Sequence, residues 1–325
     1  MDDQFKKWED LQKKIIEEIQ KIKNDPTKTR QLSKLKKELA NLKKESSNWL
    51  ANEIKKEFKL GASSVDEYIN TLTGETPNPN KLNLEGVGDL ITEARGNFTN
   101  ATNFVNRSLN NLVKEAQKER DQLNVIQDVN RSTLETILKG KLADEGVTAI
   151  ETSNGRKLQL DSYVKMATQS TLKIARNKGV INQCKSRDID LVKMTVHFPT
   201  CSICLPLQGR VYSISGTSDT YPPLSKAFGE WETVHPNCKH SIMPYIPDYV
   251  DQDQLEEDIK NSNRSYTILN PKEQEALDRY NQEQKRKSLL RTAKKEYNNM
   301  SIVLGKDQMP SFPGFLKSKR SSGNV

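Results

Sequence analysis

The chain has 325 residues, with 51 lysines and arginines against 43 aspartates and glutamates, a net charge of +8 and a mean hydropathy of -0.78. Hydrophobic residues make up 34% and aromatics 6%, which is low for one compact globule and fits long solvated helices attached to a smaller core. No run approaches the ~20 apolar residues of a membrane span, and Met1-Asp-Asp-Gln-Phe-Lys-Lys lacks a signal peptide's apolar stretch. A chain made and kept in a cytosol is expected, where paired cysteines hold metal more often than they form disulfides.

Residues 3–60 read as amphipathic helix. Trp8, Leu11, Ile15, Ile19 and Ile22 recur every three or four positions and give one apolar stripe. Asp25-Pro26 breaks that run. Leu32, Leu35, Leu39 and Leu42 then form a heptad-like seam among lysines and glutamates, continuing through Trp49, Ile54 and Phe58 to a stop at Gly61. An arm over 1–73 is predicted, either a helical hairpin packed on its own domain or a coiled-coil arm docking on a partner. Gly74-Glu-Thr-Pro-Asn-Pro-Asn is a loop by its turn chemistry.

A second helical segment is predicted over 84–145, with Phe98, Phe104, Val105, Leu109, Leu112 and Val113 on one side. A break falls at Asn130-Arg-Ser-Thr, before another helix ending at Gly140 or Gly146.

The texture changes at Val147, where an α+β module over 146–250 begins. Two short strands flank Asn154-Gly155, a strong hairpin signal. Asp161-Ser-Tyr caps a helix carrying Val164, Met166, Leu172 and Ile174 to about Asn182. Val192, Met194, Val196 and Phe198 then alternate with Lys193, Thr195 and His197, as in a half-buried strand. Gly209 turns the chain into a further strand, Arg210–Ile214, and the loop onward to His235 is expected to be floppy without a metal.

Three of the four cysteines and all three histidines fall between His197 and His240. Cys201-x-x-Cys204 followed by His235-x-x-Cys238 is the spacing of a tetrahedral zinc knot. Two intervening residues let a tight turn aim both side chains at one point. The expected ligands to a structural zinc are Cys201, Cys204, His235 and Cys238, with His240 as a substitute or as a group behind them. The alternative is a set of small buried side chains with no metal. His197 reads as an ordinary exposed histidine, and Cys184 as a plain thiol.

Beyond Tyr249 the pattern returns to helix, giving a charged C-terminal segment over 251–325. Asn270-Pro-Lys-Glu273 combines an N-cap, a proline at N1 and a capping-box acid. The helix it starts carries Lys285, Arg286, Lys287, Arg291, Lys294 and Lys295, and the tail adds Lys317, Lys319 and Arg320. Residues 309–320 are unstructured by composition. Only Glu296 and Asp307 are acidic between Lys285 and Arg320. Such a cluster either attracts the backbone of double-stranded DNA, without sequence preference, or is a solvated helix face.

Several motifs in order carry a family likeness: Gly146-Val-Thr, Asn154-Gly-Arg-Lys-Leu, Asp161-Ser-Tyr-Val-Lys-Met166-Ala and Asp190-Leu-Val, then Cys201-x-x-Cys204-x-Pro-x-x-Gly209-x-Val-Tyr-Ser-x-Ser-Gly216, His235-Pro-Asn-Cys238-Lys-His240-Ser and Pro244-Tyr-x-Pro. Together they resemble the tailed-phage minor capsid protein 2 family, which is similar to the Mu F-like head-morphogenesis proteins. The final helix, with Tyr280, Gln284, Arg286, Arg291 and Lys294, resembles the family's charged end. Gln169-Ser170 departs from an Arg-Thr pair that such proteins tend to place there.

The resemblance implies a structural virion component made in the host bacterial cytoplasm and present in few copies. It would sit in the capsid interior at the portal vertex, with portal, other capsid proteins and DNA as partners and a homo-oligomer around the portal as an arrangement. Procapsid assembly and DNA packaging or ejection would be its roles.

Two other classes compete with that reading. Zinc deaminases need His-x-Glu before Pro-Cys-x-x-Cys; here the order is reversed and Pro-Asn follows His235. A metal-dependent nuclease could use His235, Asn237 and His240, but four protein ligands close a zinc site, so no enzyme is expected. A zinc-module nucleic-acid-binding protein of cellular origin would need basic and aromatic knuckles, yet these carry only Lys239 and Arg210. The fold expected throughout is α+β and mostly α: helical arms, a small zinc-pinned module with β-strands, and a basic C-terminal helix.

Overall fold

The apolar periodicity of the N-terminal third forms three long helices in the computed structural model: α1 (Asp2–Asn24), α2 (Thr29–Thr73) and α3 (Val87–Leu123). The structure describes residues 1–24, 29–75, 82–123, 148–151, 157–229, 233–236, 238–304 and 308–321. The Asp25-Pro26 break, most of the loop after Gly74, the Asn130 break and the Asn154-Gly155 turn lie outside those residues, as do the side chains of Ile19, Ile22, Leu32, Leu112 and Val113. Two compact units divide the chain. The first holds Met1–Ser46, Phe98–Lys165 and Gln282–Val325, and the second holds Ser47–Asn97 and Met166–Asn281.

In the first unit α1 runs antiparallel to the start of α2. Lys14 Nζ meets Glu38 at 3.1 Å, and Lys7 pairs with Glu45. Exposed pairs of this kind contribute little; the buried side of the hairpin holds it. Trp8, Leu11 and Ile15 of α1 and Leu35, Leu39 and Leu42 of α2 are buried. The Trp8 indole donates to Ser46 Oγ at 2.9 Å and meets the Phe98 ring edge-on at 6.0 Å. Phe98, Ala101, Val105 and Leu109 give α3 its buried stripe, whereas Phe104 is only half-buried.

The antiparallel pair β1 (Thr148–Glu151) and β2 (Lys157–Gln159) leads straight into α4 (Leu160–Ser186). Buried Gln12 ties this junction to α1: its amide donates to Gln159 Oε1 at 3.2 Å and its carbonyl accepts from Asp161 N at 3.0 Å.

The second unit is organised by a three-stranded antiparallel sheet, order β4-β3-β5, from β3 (Leu191–Met194), β4 (Val211–Ser213) and β5 (Ile242–Pro244). Val192 pairs with Tyr212 on one side and Pro244 on the other. Val65 of α2, Val180 and Cys184 of α4, and Val192, Met194, Tyr212 and Ile242 of the sheet share one core. Burial pushes the Cys184 thiol up to about 12, so it is an inert buried group.

Four sequence expectations need correction. Gly61 does not stop α2, which continues to Thr73, because the glycine serves a close helix crossing instead. The strand ends at Met194, leaving Val196 and Phe198 exposed. Over its described residues to Gly229 the loop after β4 is packed rather than floppy: it bridges back at Ser213–Pro223, turns into α5 (Ser225–Phe228), and buries Leu224, Ala227 and Phe228 in the core. The C-terminal tail is also ordered, as α8 (Phe312–Ser321). Phe312 and Phe315 stand 5.3 Å and 5.5 Å from the Tyr297 ring, and Pro313 falls in the first turn, where its missing N–H costs nothing.

Two further helices complete the chain, α6 (Gln252–Asn263) and α7 (Pro271–Leu304). Asp251 caps α6 by accepting from Gln254 N at 2.9 Å. The capping box at α7 forms as its sequence requires, since Glu273 N donates to Asn270 Oδ1 and Asn270 N donates to Glu273 Oε2, both at 2.9 Å.

Candidate metal centre

The cysteine and histidine pairs sit on two tight turns. Leu205 N donates to Cys201 O at 2.9 Å and Cys238 N donates to His235 O at 3.0 Å, so each turn brings its two ligand-bearing residues onto one side. Gly209, at φ 73°, ends the first turn and lets the chain re-enter the sheet. There Gly209 N and Met194 N donate to Met194 O and Arg210 O respectively.

Two groups of donors result, Cys201, Cys204 and His235, and Cys204, Cys238 and His240, with the atoms within each group no more than 4.8 Å apart. Cys204 belongs to both. His235 Nε2 lies 3.2 Å from Cys201 Sγ and 3.1 Å from Cys204 Sγ. Cys204 Sγ lies 3.7 Å from Cys238 Sγ, which lies 3.6 Å from His240 Nδ1. Sulfurs at about 2.3 Å from a tetrahedral zinc stand about 3.8 Å apart, and a sulfur–nitrogen pair about 3.6 Å. The Cys204–Cys238 and Cys238–His240 separations match those values, whereas His235 Nε2 stands closer to its two sulfurs than a zinc edge; the cysteine and histidine donors grouped here could hold a zinc ion.

The outer nitrogen of each imidazole faces an acceptor, an arrangement that favours the tautomer a metal requires. His240 Nε2 lies 2.9 Å from Gln208 Oε1, an acceptor, so Nε2 carries the proton and Nδ1 offers its lone pair to the cluster. Gln208 Oε1 also accepts from His197 N at 3.1 Å, which fixes the amide. His235 Nδ1 faces Pro236 O at 2.7 Å, leaving Nε2 free for the cysteines.

The thiols divide by charge. Hydrogen bonds from Cys204 pull Cys201 down to about 4 and Cys238 down to about 3, helped by His235 and His240 respectively. Cys204 donates to both and is pushed up, because its own anion would face two others. The bond to Cys201 raises His235 to about 9. Cys204 keeps its proton because three thiolates this close would repel; a divalent ion among them would let all three ionise.

The structure brings together all five residues expected from spacing. It also adds three that spacing did not reveal. Gln208 orients His240, and His197 lies edge-on to the His240 ring at 5.2 Å. Lys173 of α4 donates to Lys239 O at 3.2 Å and Ser241 Oγ at 2.9 Å, pinning the second turn. Burial, then the neighbouring Arg176, lowers its pKa. No local pattern marks these residues, because each acts across a long sequence separation.

Among the expected DNA contacts, Lys285, Arg286, Lys287, Arg291 and Lys294 are exposed on α7, and Lys317 and Arg320 are on α8. Lys287 pairs with Glu283 at 2.6 Å, and half-buried Lys319 pairs with Glu296. The Lys295 side chain lies outside the described residues.

A family model described as Phage minor capsid protein 2 matches residues 8–303. No curated protein and no solved structure matches the chain significantly. No described helix is long and apolar enough to cross a membrane.

Proposed function

The chain belongs to the phage minor capsid protein 2 family, and from that premise we propose that it works inside the phage head, at the portal vertex, in procapsid assembly and in DNA packaging and ejection. Several copies stand around the portal. The helical arm over 1–73 meets another head protein, the 84–145 helical segment supports it, the 146–250 module is the hub, and the 251–325 segment faces the genome.

The observation that carries this reading is the run Lys285–Leu290 on α7, in which every residue is exposed and three are cationic, followed by exposed Arg291 and Lys294. A helix with no buried face over nearly two turns is suited to an external partner, and its charge suits a phosphate backbone regardless of sequence. Lys317 and Arg320 on α8 extend the cationic set.

The metal is structural in this reading. Cys201, Cys204 and Cys238 with His235 complete a closed tetrahedral zinc, and His240 is oriented to substitute for His235. Both donor groups consist of cysteine and histidine alone, so no carboxylate base stands among them for hydrolysis. When bound, zinc supplies charge neutralisation and a covalent-strength clip between the two turns.

A reconstruction of assembled particles tests the location. Density for this chain at the portal vertex, inside the shell, is expected; its absence from purified particles would overturn the proposal.

A further inference from the structure

The ligand-bearing turn projects three large apolar side chains into solvent: Val196 is 52% exposed, Phe198 58% and Ile203 58%. They ride on a fixed frame, since Val196 lies so close to Gly209 that a Cβ there would stand 3.0 Å from its Cγ2, and His197 between them is held by Gln208. Exposed apolar groups on a rigid frame mark an interaction surface. Its flank is cationic, with exposed Lys239 next to His240 and Lys173 held against the Lys239 carbonyl.

The same unit carries a surface of matching opposite character. Asp248, Asp251, Asp253, Glu256 and Glu257 are all exposed, Tyr249 among them is 51% exposed, and Lys260 is the sole cation between 248 and 263. The C-terminal end of α6 is fastened at the knuckle, where Asn261 donates to Gly209 O at 3.0 Å and Arg210 to Ser262 O at 3.0 Å. Asp248, Asp251 and Asp253 lie at or before the other end of α6 and Glu256 and Glu257 at its middle, on a twelve-residue helix about 18 Å long.

We propose that copies of this chain join head to tail, the Val196, Phe198 and Ile203 face of one copy, flanked by Lys239, receiving the acidic segment around Tyr249 of the next. A contact between two different faces repeats from copy to copy and closes into a ring when the rotation allows. This rests on the reading that several copies stand at one vertex, and it names the faces that join them.

Sedimentation of the full chain over a range of concentrations tests the pairing, with zinc content and circular dichroism reporting folding. The wild type should associate. Phe198→Asp with Ile203→Asp should weaken association at least tenfold, as should Glu256→Lys with Glu257→Lys. Lys239→Glu gives a second knuckle-side variant should the first fail to fold. Mixing a knuckle variant with the acid variant should yield one-to-one dimers and nothing larger, because each retains one intact face. A wild type monomeric throughout, folded variants that associate like it, or a mixture that stays monomeric would each overturn the pairing. Portal-vertex density in particles would still uphold the location on its own.

Discussion

Gly61 of α2 and Gly179 of α4 face each other's helix backbones so closely that no side chain fits at either. A Cβ on Gly61 would stand 2.0 Å from the Arg176 carbonyl oxygen, and one on Gly179 would stand 2.1 Å from the Phe58 carbonyl oxygen. The crossing sets α2 against the helix that also carries Val180, Cys184 and Lys173, and so against the support of the metal site.

Gly61→Ala and Gly179→Ala should therefore each destabilise the second unit, although alanine raises intrinsic helix propensity. Overpacking typically costs about 1–3 kcal/mol, and backbone obstructs here, so values at or above the top of that range are expected. Chemical denaturation measures it. Because both substitutions push on one crossing, the double variant should cost less than the two together. Unchanged midpoints would contradict the crossing.

Cys201→Ser or Cys238→Ser should release stoichiometric zinc and loosen residues 197–245, at a cost of several kcal/mol when the wild-type site is loaded. Zinc content by mass spectrometry and limited proteolysis read the two effects. Protease resistance of that region unchanged by EDTA would count against a structural metal. His240→Ala should cost less zinc than Cys238→Ser, since His235 remains.

Replacing Lys285, Arg286 and Lys287 with glutamine should weaken DNA binding about equally on unrelated sequences. The slope of log affinity against log salt should become shallower by about 0.9 for each phosphate that is no longer neutralised. Titrations at several salt concentrations check this. A slope that does not move would remove α7 from the interface.

Glu273 should give the fold part of its acid sensitivity. Burial acts to raise its pKa, but hydrogen bonds from Arg264 and the Asn270 N–H outweigh it and hold the carboxyl below its usual range. The sign follows from that depression. The stabilisation is present above the ordinary glutamate range and is lost as pH falls through the lower folded value. Glu273→Gln should lower stability at neutral pH and flatten the acid limb of a stability–pH curve.

The sequence by itself determined the features whose physics is local. Asn270-Pro-Lys-Glu273 could cap a helix because its bonds span three residues, and the apolar stripe of Trp8, Leu11 and Ile15 needed only helical periodicity. The two donor pairs were legible for the same reason, since Cys201-x-x-Cys204 and His235-x-x-Cys238 each close over one turn.

Tertiary structure alone decided what depends on the partner across the gap. Gly61 has the same local signature whether it ends a helix or admits a neighbour, and only the Arg176 carbonyl settles which. The 309–320 tail lacked apolar density of its own, and it orders because Phe312 and Phe315 find Tyr297. Alternation could not show that the strand ends at Met194, since its length is set by pairing with β4 and β5. Gln208 took its place behind His240 through a contact 32 residues away in sequence. Periodicity and spacing encode geometry within a turn or two, whereas packing partners are chosen by the whole chain.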